Sequence, residues 1–409
     1  MARIVVLDLL FNWPPEGGAR VDTLELTRFL SARHRTTMLV PRIPDAFPRG
    51  RVDFSHEELG IDLEVMPVPI GVADHRQLCD IIRDRLEELS PDLLVIGDAW
   101  HLKARLLAAL TDYAPVVRFY AHESLCLKGH GHQYRDEQVC PVDTLARPTD
   151  FESQCLPCRQ AWAEATTTKV FDREMELAAI EDGTYLDELR RGLAAARAVV
   201  VTNTDMVRRL SPHTKRVILQ PMGVDLDMFR PVSPPTGNRF LLHGRVYDYL
   251  KGAHVLIEAG RLLHEQGRDF TIAVTGLPPG QTNEDLPDFV EALEPVPHDQ
   301  VPGVIESALC SVLPPVWPEP LPLSALESMA CGRPLIASAV GGFKDLIVPE
   351  QNGLLVPPND PVALAEAMAR ILDDRALLNR LAEEAVATAW RHRWTDLHEK
   401  AYGPLLAEL

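Results

Sequence analysis

The sequence has little lysine, few aromatic residues and no surplus of positive charge. Lysine supplies 7 of the 41 basic residues in the 409-residue chain, and aromatic residues make up 6% of it. The formal net charge is −18, which argues against binding to the polyanionic backbone of a nucleic acid. Because arginine fills most basic positions, the position of each lysine is informative.

Long apolar runs are also absent. No stretch of 18 apolar residues occurs, so no transmembrane helix is predicted. The apolar start of the chain is interrupted by Asp8 and is followed by WPPEGG rather than by a small-residue cleavage site, so no signal peptide is predicted. We therefore expect a cytoplasmic protein, in which the seven cysteines stay reduced or bind metal.

Short β-branched strands alternate with helical patterns through the first half of the chain. The predicted strands are 3–10, 36–40, 62–68, 92–97, 115–120 and 197–202, and the helical patterns between them include 23–34 and 76–89. This alternation predicts a parallel sheet with helices on both faces, in which ligands bind beyond the carboxyl ends of the strands. The first strand leads through Gly17 and Gly18 into a helix; this loop is either a ligand loop or simply a tight turn.

The same alternation restarts after a Pro/Gly/Ser cluster at 231–237, which has the composition of a linker. A chain of this length exceeds the roughly 250–300 residues at which one hydrophobic core stops growing. The sequence therefore predicts an α/β protein with two doubly wound domains.

The stretch from Trp317 to Asp345 carries the strongest chemical signal. It places Glu319 before two prolines and Glu327 inside an apolar, small-residue helix that ends at a glycine. A helix N-terminus presents free N–H groups and a partial positive charge, which suits phosphate. A buried glutamate without a partner would be costly, so this helix predicts an anion site with two functional carboxylates.

An irregular insert at 121–175 contains Cys126, Cys140, Cys155 and Cys158. The final C-L-P-C pair has a spacing that suits one tetrahedral zinc ion, and His130 and His132 are spare ligands. A structural zinc is the favoured interpretation; a disulfide or redox pair and unliganded packing are the alternatives. Cys79, Cys310 and Cys331 lie in apolar contexts and are expected to be core residues.

Taken together, the motifs make the chain resemble the GT-B fold retaining glycosyltransferases of family 4 (glycosyl transferases group 1) over nearly its whole length. The frame EPLPLSALESMACGRPLIAS matches the family's E-x7-E pattern, and the further matches are HGRVYDYLKG (243–252), GVDLDMFRP (223–231), GGFKD (341–345) and NGLLVPPNDPVALAEAM (352–368). The resemblance implies two Rossmann-like domains facing across a cleft, with an acceptor domain at 1–217, a nucleotide-sugar domain at 218–389 and a helix at 390–409 that returns to the first domain.

The resemblance also assigns roles to residues. Arg245 and Lys251 correspond to the pair that holds the donor diphosphate, although their separation is one residue longer than is common in the family. Glu327 would accept hydrogen bonds from the ribose, and Glu319 would touch the transferred sugar. The remaining donor-binding positions are Gly17, Gly18, Gly244, Leu321, Leu323 and Ser324.

His122 corresponds to the histidine of the N-terminal domain that reaches the donor sugar, with neighbouring Glu123 as the alternative. The implied reaction transfers a sugar from a UDP-, GDP- or ADP-sugar to a glycan, lipid or small metabolite. Front-face substitution without a catalytic metal is favoured over Glu319 acting as a covalent nucleophile. The alternative functions are an epimerase or phosphorylase on the same fold, or a catalytically inactive subunit.

Overall fold

A computed structural model describes residues 1–44, 49–128, 133–165, 172–233, 235, 237–277, 280–294 and 296–409. The chain divides into two compact units, each with its own parallel sheet. Unit 1 comprises Met1–Gln133, Pro141–Gln220 and His398–Leu409, and unit 2 comprises Tyr134–Cys140 and Pro221–Leu397. The domain limits expected from the sequence were 217/218 and 389/390.

Strands and helices alternate along both units. The strands are β1 (Arg3–Leu7), β2 (Arg35–Arg42), β3 (Asp62–Pro67), β4 (Leu93–Ile96), β5 (Val116–Arg118), β6 (Tyr134–Arg135), β7 (Gln138–Val139), β8 (Ala198–Val201), β9 (Val217–Leu219), β10 (Arg239–Leu242), β11 (Thr271–Thr275), β12 (Val290–Leu293), β13 (Cys310–Leu313), β14 (Leu335–Ser338) and β15 (Gly353–Val356). The α-helices are α1 (Gly18–Ser31), α2 (His56–Leu59), α3 (His75–Leu89), α4 (Leu102–Ala109), α5 (Leu156–Ala165), α6 (Asp172–Ala178), α7 (Tyr185–Ala195), α8 (Thr204–Leu210), α9 (Ala253–Glu265), α10 (Val301–Glu306), α11 (Leu323–Ala330), α12 (Phe343–Leu346), α13 (Pro361–Asp373), α14 (Arg375–Trp390) and α15 (Trp394–Leu406).

Unit 1 is built on a seven-stranded parallel sheet in the order β3-β2-β1-β4-β5-β8-β9. Its central strands β4 and β8 read LLVI and AVVV and are buried along their whole length, as expected for a sheet covered on both faces. The strand order changes direction between β1 and β4. Loops beyond the carboxyl ends of these two strands are therefore the position at which a doubly wound sheet binds ligands.

Unit 2 has a six-stranded parallel sheet in the order β12-β11-β10-β13-β14-β15. Its direction changes between β10 and β13, so the loops that follow these strands lie at the corresponding switch point. The antiparallel hairpin β6–β7 groups with this unit. The predicted class, an α/β protein with two Rossmann-like sheets, is confirmed.

The C-terminal helix α15 packs on the sheet of unit 1. Ala401, Tyr402 and Leu405 are buried with Ile4 and Val6 in one apolar cluster. The expectation that the end of the chain returns to the N-terminal domain is thus confirmed.

Two local expectations differ from the structure. The helix after β1 begins at Gly18 rather than at residue 23, because its first turn lacks the apolar periodicity on which the prediction relied. The insert at 121–175 is less irregular than expected: it contains the β6–β7 hairpin, a π-helical turn at Phe151–Cys155 and α5. In the part of the chain that the structure describes, no helix is long and apolar enough to cross a membrane.

A fully buried ion pair lies beneath α1 in unit 1. The Arg118 guanidinium donates to both carboxylate oxygens of Asp22, at 3.1 and 3.3 Å, and to the carbonyl oxygen of Gln220. Both side chains of the pair are completely buried. Burial raises the pKa of Asp22, but the charge of Arg118 together with the neighbouring His398 and Tyr120 outweighs this effect, and the pKa is lowered.

We predict that Arg118→Met destabilises unit 1 by about 3–5 kcal/mol, because it leaves the Asp22 carboxylate buried without its counter-charge. Urea denaturation followed by circular dichroism measures the effect. The matched control is Arg33→Met, which removes an exposed arginine paired with Glu399 and should cost less than about 1 kcal/mol. Equal effects of the two substitutions would contradict the prediction.

Candidate active site

Three loops of unit 2 meet beyond the carboxyl ends of neighbouring strands β10, β13 and β14. They are loop A (243–252), loop B (314–322) and loop C (339–342). Loops A and B carry five of the residues predicted from the sequence: Gly244, Arg245, Lys251, Glu319 and Leu321. The contacts between the loops explain how residues distant in the chain are brought together.

Loop A is held against loop B by a glycine. Gly252 has φ +77°, and a Cβ atom there would lie 1.8 Å from the carbonyl oxygen of Pro314. The backbone N–H of Val316 donates to the carbonyl oxygen of Leu250 at 3.0 Å. Since only glycine fits this approach without a backbone shift, Gly252 fixes the position of the adjoining Lys251.

Loop C packs against loop B through two more glycines. A Cβ atom on Gly341 or Gly342 would lie 1.9 Å from the carbonyl oxygen of Glu319 or Pro320, respectively. The Gly342 N–H also donates to the Glu319 carbonyl oxygen at 2.8 Å. The backbone at Glu319 is therefore clamped by its neighbouring loop.

These loop contacts bring Lys251 and Glu319 into direct contact. Lys251 Nζ donates to Glu319 Oε2 at 2.7 Å, and Trp317 Nε1 donates to the same oxygen at 2.8 Å. Glu319 is 6% exposed, so the ion pair is largely shielded from solvent. The structure thus unites a predicted phosphate-binding lysine with a predicted sugar-binding glutamate.

Arg245 and the start of α11 supply further positive character. Arg245 is partly exposed, and no described residue pairs with its side chain. Helix α11 starts at Leu323, and its N-cap Pro322 has no side chain that could satisfy the first N–H groups. The N–H groups of Leu323 and Ser324 belong to this first turn, and Leu321 lies just before it. This helix start can bind an anion.

Glu327 lies on α11 between two histidines. Its Oε1 is 2.9 Å from His298 Nε2, and its Oε2 is 3.6 Å from His243 Nε2. Burial would raise the pKa of Glu327, but the hydrogen bond with His298 and the nearby His243 together outweigh burial and lower the pKa to about 2. Conversely, the hydrogen bond to Glu327 raises the pKa of His298. Glu327 is therefore an ionised acceptor at all ordinary pH values.

Gly244 fixes the start of loop A. It has φ +114°, and its N–H donates to Thr275 Oγ1 at 2.9 Å, while that hydroxyl donates back to the Gly244 carbonyl oxygen. Among the described residues, nothing lies within 4 Å of a Cβ atom placed on Gly244. The backbone at this point is therefore anchored on one side and open on the other.

In unit 1, a buried carboxylate organises the two loops at the switch point. Asp8 accepts hydrogen bonds from the N–H groups of Leu10 and Asp98 and from the Thr23 hydroxyl, at 2.9 to 3.0 Å. Burial, with a contribution from Asp98, raises the pKa of Asp8 to about 6. Arg20 in turn pairs with Asp98 at 2.9 Å. This network joins the loops that follow β1 and β4.

His122 and Glu123 follow β5 and are both almost completely buried. Glu123 Oε1 accepts a hydrogen bond from the Tyr120 N–H at 2.9 Å and lies 3.6 Å from Lys103 Nζ. Burial raises the pKa of Glu123 despite the neighbouring Lys103. Glu123 therefore has a structural role in unit 1, while the sugar-binding role of His122 stays a prediction.

Gly17 and Gly18 lead from the first loop into α1. Gly17 has φ +112° and is the N-cap of the helix, and no side-chain cap is present. No described atom lies within 4 Å of a Cβ atom built at Gly17. This geometry leaves the helix start open, and the donor-binding role of the two glycines stays a prediction.

The cysteines of the insert, Cys126, Cys140, Cys155 and Cys158, are each partly exposed. Among the residues that the structure describes, no group of three or more His, Cys, Asp or Glu side chains is arranged to hold a metal ion. His130 and His132 lie outside the described residues. The structural zinc therefore stays a prediction. Cys79, Cys310 and Cys331 are buried, as expected for core residues.

Three contacts at the candidate site in unit 2 were not predicted from the sequence: those made by Trp317, His243 and His298. Trp317 and His243 lie inside motifs that were recognised, but their side chains were given no role. His298 lies 29 residues before its partner Glu327, and nothing in its local sequence marks it. Only the folded sheet brings it to α11.

Comparison with known proteins shows which family the region of the candidate site resembles. Residues 224–388 match the family model of glycosyl transferases group 1. The chain is 32% identical over 254 residues to D-inositol 3-phosphate glycosyltransferase of Salinispora tropica, covering 52% of each protein. It is 28% identical to 2-deoxystreptamine N-acetyl-D-glucosaminyltransferase of Streptomyces fradiae, covering 95% of this chain and 88% of the relative.

A solved structure extends the likeness to both units. Sucrose-phosphate synthase of Thermosynechococcus elongatus superposes with a TM-score of 0.70 at 20% identity, covering 100% of this chain and 99% of that one. The chain spans only about half the length of the inositol phosphate enzymes that it matches. The protein has the GT-B fold, and residues 224–388 of its unit 2 match the model of glycosyl transferases group 1.

Proposed function

We propose that the protein is a retaining glycosyltransferase that moves a sugar from a nucleotide diphosphate sugar to an acceptor hydroxyl. The observation that carries this proposal is the Lys251–Glu319 ion pair beside the uncapped start of α11. It places a cation, a helix N-terminus and a hydrogen-bond acceptor within three adjoining loops. A nucleotide sugar needs these three groups for its diphosphate and its sugar hydroxyls.

Three parts of the donor, namely the diphosphate, the ribose and the transferred sugar, have matching groups in unit 2. Arg245, Lys251 and the first N–H groups of α11 would bind the diphosphate. Glu327, which is ionised and buried, would accept hydrogen bonds from the ribose hydroxyls. Glu319 would accept one from the transferred sugar. Charge-assisted bonds of this kind are roughly twice as strong as neutral ones.

In the proposed reaction, the acceptor oxygen forms a bond to the anomeric carbon on the face from which the phosphate leaves. The bond between that carbon and the phosphate oxygen breaks, and the leaving phosphate oxygen takes the acceptor proton. Negative charge grows on the phosphate as the bond breaks, and Arg245 and Lys251 are positioned to stabilise it. Since these groups supply positive charge, we propose that no divalent metal is required.

For the acceptor, we propose a cyclitol as the first class to test. By their names, the inositol phosphate and 2-deoxystreptamine enzymes act on hydroxylated six-membered carbocycles. The second of these relatives is similar over 95% of this chain, which includes unit 1. The support comes from relatives alone.

We predict that one of four donors, UDP-glucose, UDP-N-acetylglucosamine, GDP-mannose or ADP-glucose, raises the melting temperature. A ligand at 100 times its Kd adds about 2.7 kcal/mol of stability by mass action. The stabilising donor is then incubated with D-inositol 3-phosphate or 2-deoxystreptamine, with and without EDTA, and the products are analysed by NMR. Retained anomeric configuration with EDTA present is the expected result.

Absence of stabilisation by all four donors would contradict the proposed donor class. Stabilisation without any nucleotide release, even by slow hydrolysis, would instead favour a catalytically inactive subunit. An inverted product would overturn retention alone.

A further inference from the structure

Two hydrogen-bond donors of different chemistry contact the same carboxylate oxygen of Glu319. The indole N–H of Trp317 and the ammonium group of Lys251 both bind Oε2, at 2.8 and 2.7 Å. No described residue donates a hydrogen bond to Oε1. A carboxylate has about four lone-pair sites, so one side of Glu319 is saturated by protein and the other retains its capacity to accept.

The backbone of this segment has little freedom. The Glu319 N–H donates to the Trp317 carbonyl oxygen at 2.7 Å, and the Glu319 carbonyl oxygen accepts from Gly342. Trp317 is itself 4% exposed, so its ring is held in the interior of unit 2. Glu319 can therefore change conformation only by rotating its side chain. The two hydrogen bonds to Oε2 restrict that rotation.

The two hydrogen-bond donors, Lys251 and Trp317, respond differently to a bound diphosphate. Lys251 carries three protons at the end of a flexible chain, and a phosphate with two or more negative charges attracts it away from a single carboxylate. The indole N–H is neutral, is a single donor and is fixed by the buried ring. When Lys251 turns toward the diphosphate, Trp317 is the group that still holds Oε2.

We propose that Trp317 is a positioning residue that keeps Oε1 of Glu319 directed at a hydroxyl of the transferred sugar, and so determines which donor sugar is selected. This inference rests on the proposed function, because it assumes that Glu319 contacts the sugar. The proposal assigns sugar recognition and diphosphate binding to different residues. Trp317 acts on the sugar, whereas Arg245, Lys251 and the start of α11 act on the diphosphate.

The test compares a nucleotide sugar with its nucleoside diphosphate: UDP-glucose with UDP, or the corresponding pair for whichever donor in the four-member panel gives the largest thermal shift. Trp317→Phe keeps an aromatic ring, although a smaller one, and removes the indole N–H. We expect the affinity for the nucleotide sugar to fall about tenfold, while the affinity for the diphosphate changes less than about twofold, by isothermal titration calorimetry. The preference among sugars on the same nucleotide should also decrease.

Trp390→Phe is the matched control, since Trp390 is a half-exposed tryptophan of unit 2 and should change neither affinity. Glu319→Gln should show the same selective loss, and adding Trp317→Phe to it should cause little further loss because the two residues act as one unit. If Trp317→Phe folds poorly, Glu319→Gln alone provides the test: a Glu319→Gln protein that binds the nucleotide sugar as tightly as the unmodified protein would overturn the inference.

Equal weakening of both ligands by Trp317→Phe, or no weakening of either, would overturn the inference. An unmodified protein that binds none of the four donors would instead show that the proposed function is wrong. The two failures are therefore distinguishable.

Discussion

Lys251→Met is expected to lower nucleotide release from the stabilising donor by about two to three orders of magnitude in kcat. The lysine is placed by Gly252 against loop B and is the cation nearest to Glu319. Because its charge would stabilise the leaving diphosphate mainly as the bond breaks, its loss should lower kcat more than it raises KM. Initial rates of nucleotide release across donor concentrations measure both constants.

Two variants control for this experiment. Arg268→Met removes a cation from a surface pair with Asp373 in the same unit and should leave turnover unchanged. Lys251→Arg keeps the charge and should recover part of the activity. A Lys251→Met protein with unchanged kcat would show that the diphosphate assignment is wrong.

Glu327→Gln is expected to reduce donor affinity by about 10- to 100-fold, since hydrogen bonds to a charged acceptor are worth about 1.5–3 kcal/mol. Between pH 5 and 9 the wild-type carboxylate stays ionised, because its pKa is lowered to about 2. Any pH dependence of binding in this range must therefore come from its partners.

The partner that titrates is His298. In the free protein its hydrogen bond to Glu327 raises the pKa of the imidazole, with smaller contributions from Asp225 and Asp299. Ribose hydroxyls that take Oε1 of Glu327 remove this bond, so the His298 pKa falls and a proton is released. Donor affinity should then increase as the pH rises through the raised pKa of His298.

Calorimetric titrations of the stabilising donor at pH 5.5, 7 and 8.5 measure this dependence. His298→Gln should remove it, whereas His264→Gln, which changes another histidine of unit 2, should retain it. An affinity that falls with increasing pH in the unmodified protein would contradict the assignment of the ribose to Glu327.

The fold could be predicted from the sequence because strand and helix periods are local properties. The apolar runs of β4 and β8 indicate a covered parallel sheet directly. The first turn of α1 and the helices of the insert were missed since they carry no clear apolar period. Tertiary packing rather than local pattern determines those elements.

The candidate site was predictable only in part. Glu319, Glu327 and Lys251 lie in recognisable motifs, and Lys251 and Glu319 are in direct contact, while their donor-binding roles stay predictions. The sharing of Oε2 between Trp317 and Lys251, and the contact of His298 with Glu327, depend on the approach of loops from different strands. Sequence spacing contains no information about which oxygen a donor reaches.

The Lys251–Glu319 contact joins residues that are 68 positions apart. During synthesis, Lys251 therefore emerges from the ribosome well before Glu319. The pair can form only after β13 has been synthesised and has paired with β10. Contacts of such long range are late and entropically costly in folding. If the pair belongs to a nucleotide-sugar site, as proposed, that site is complete only after synthesis has passed Glu319, and donor binding would then distinguish finished domains from nascent ones.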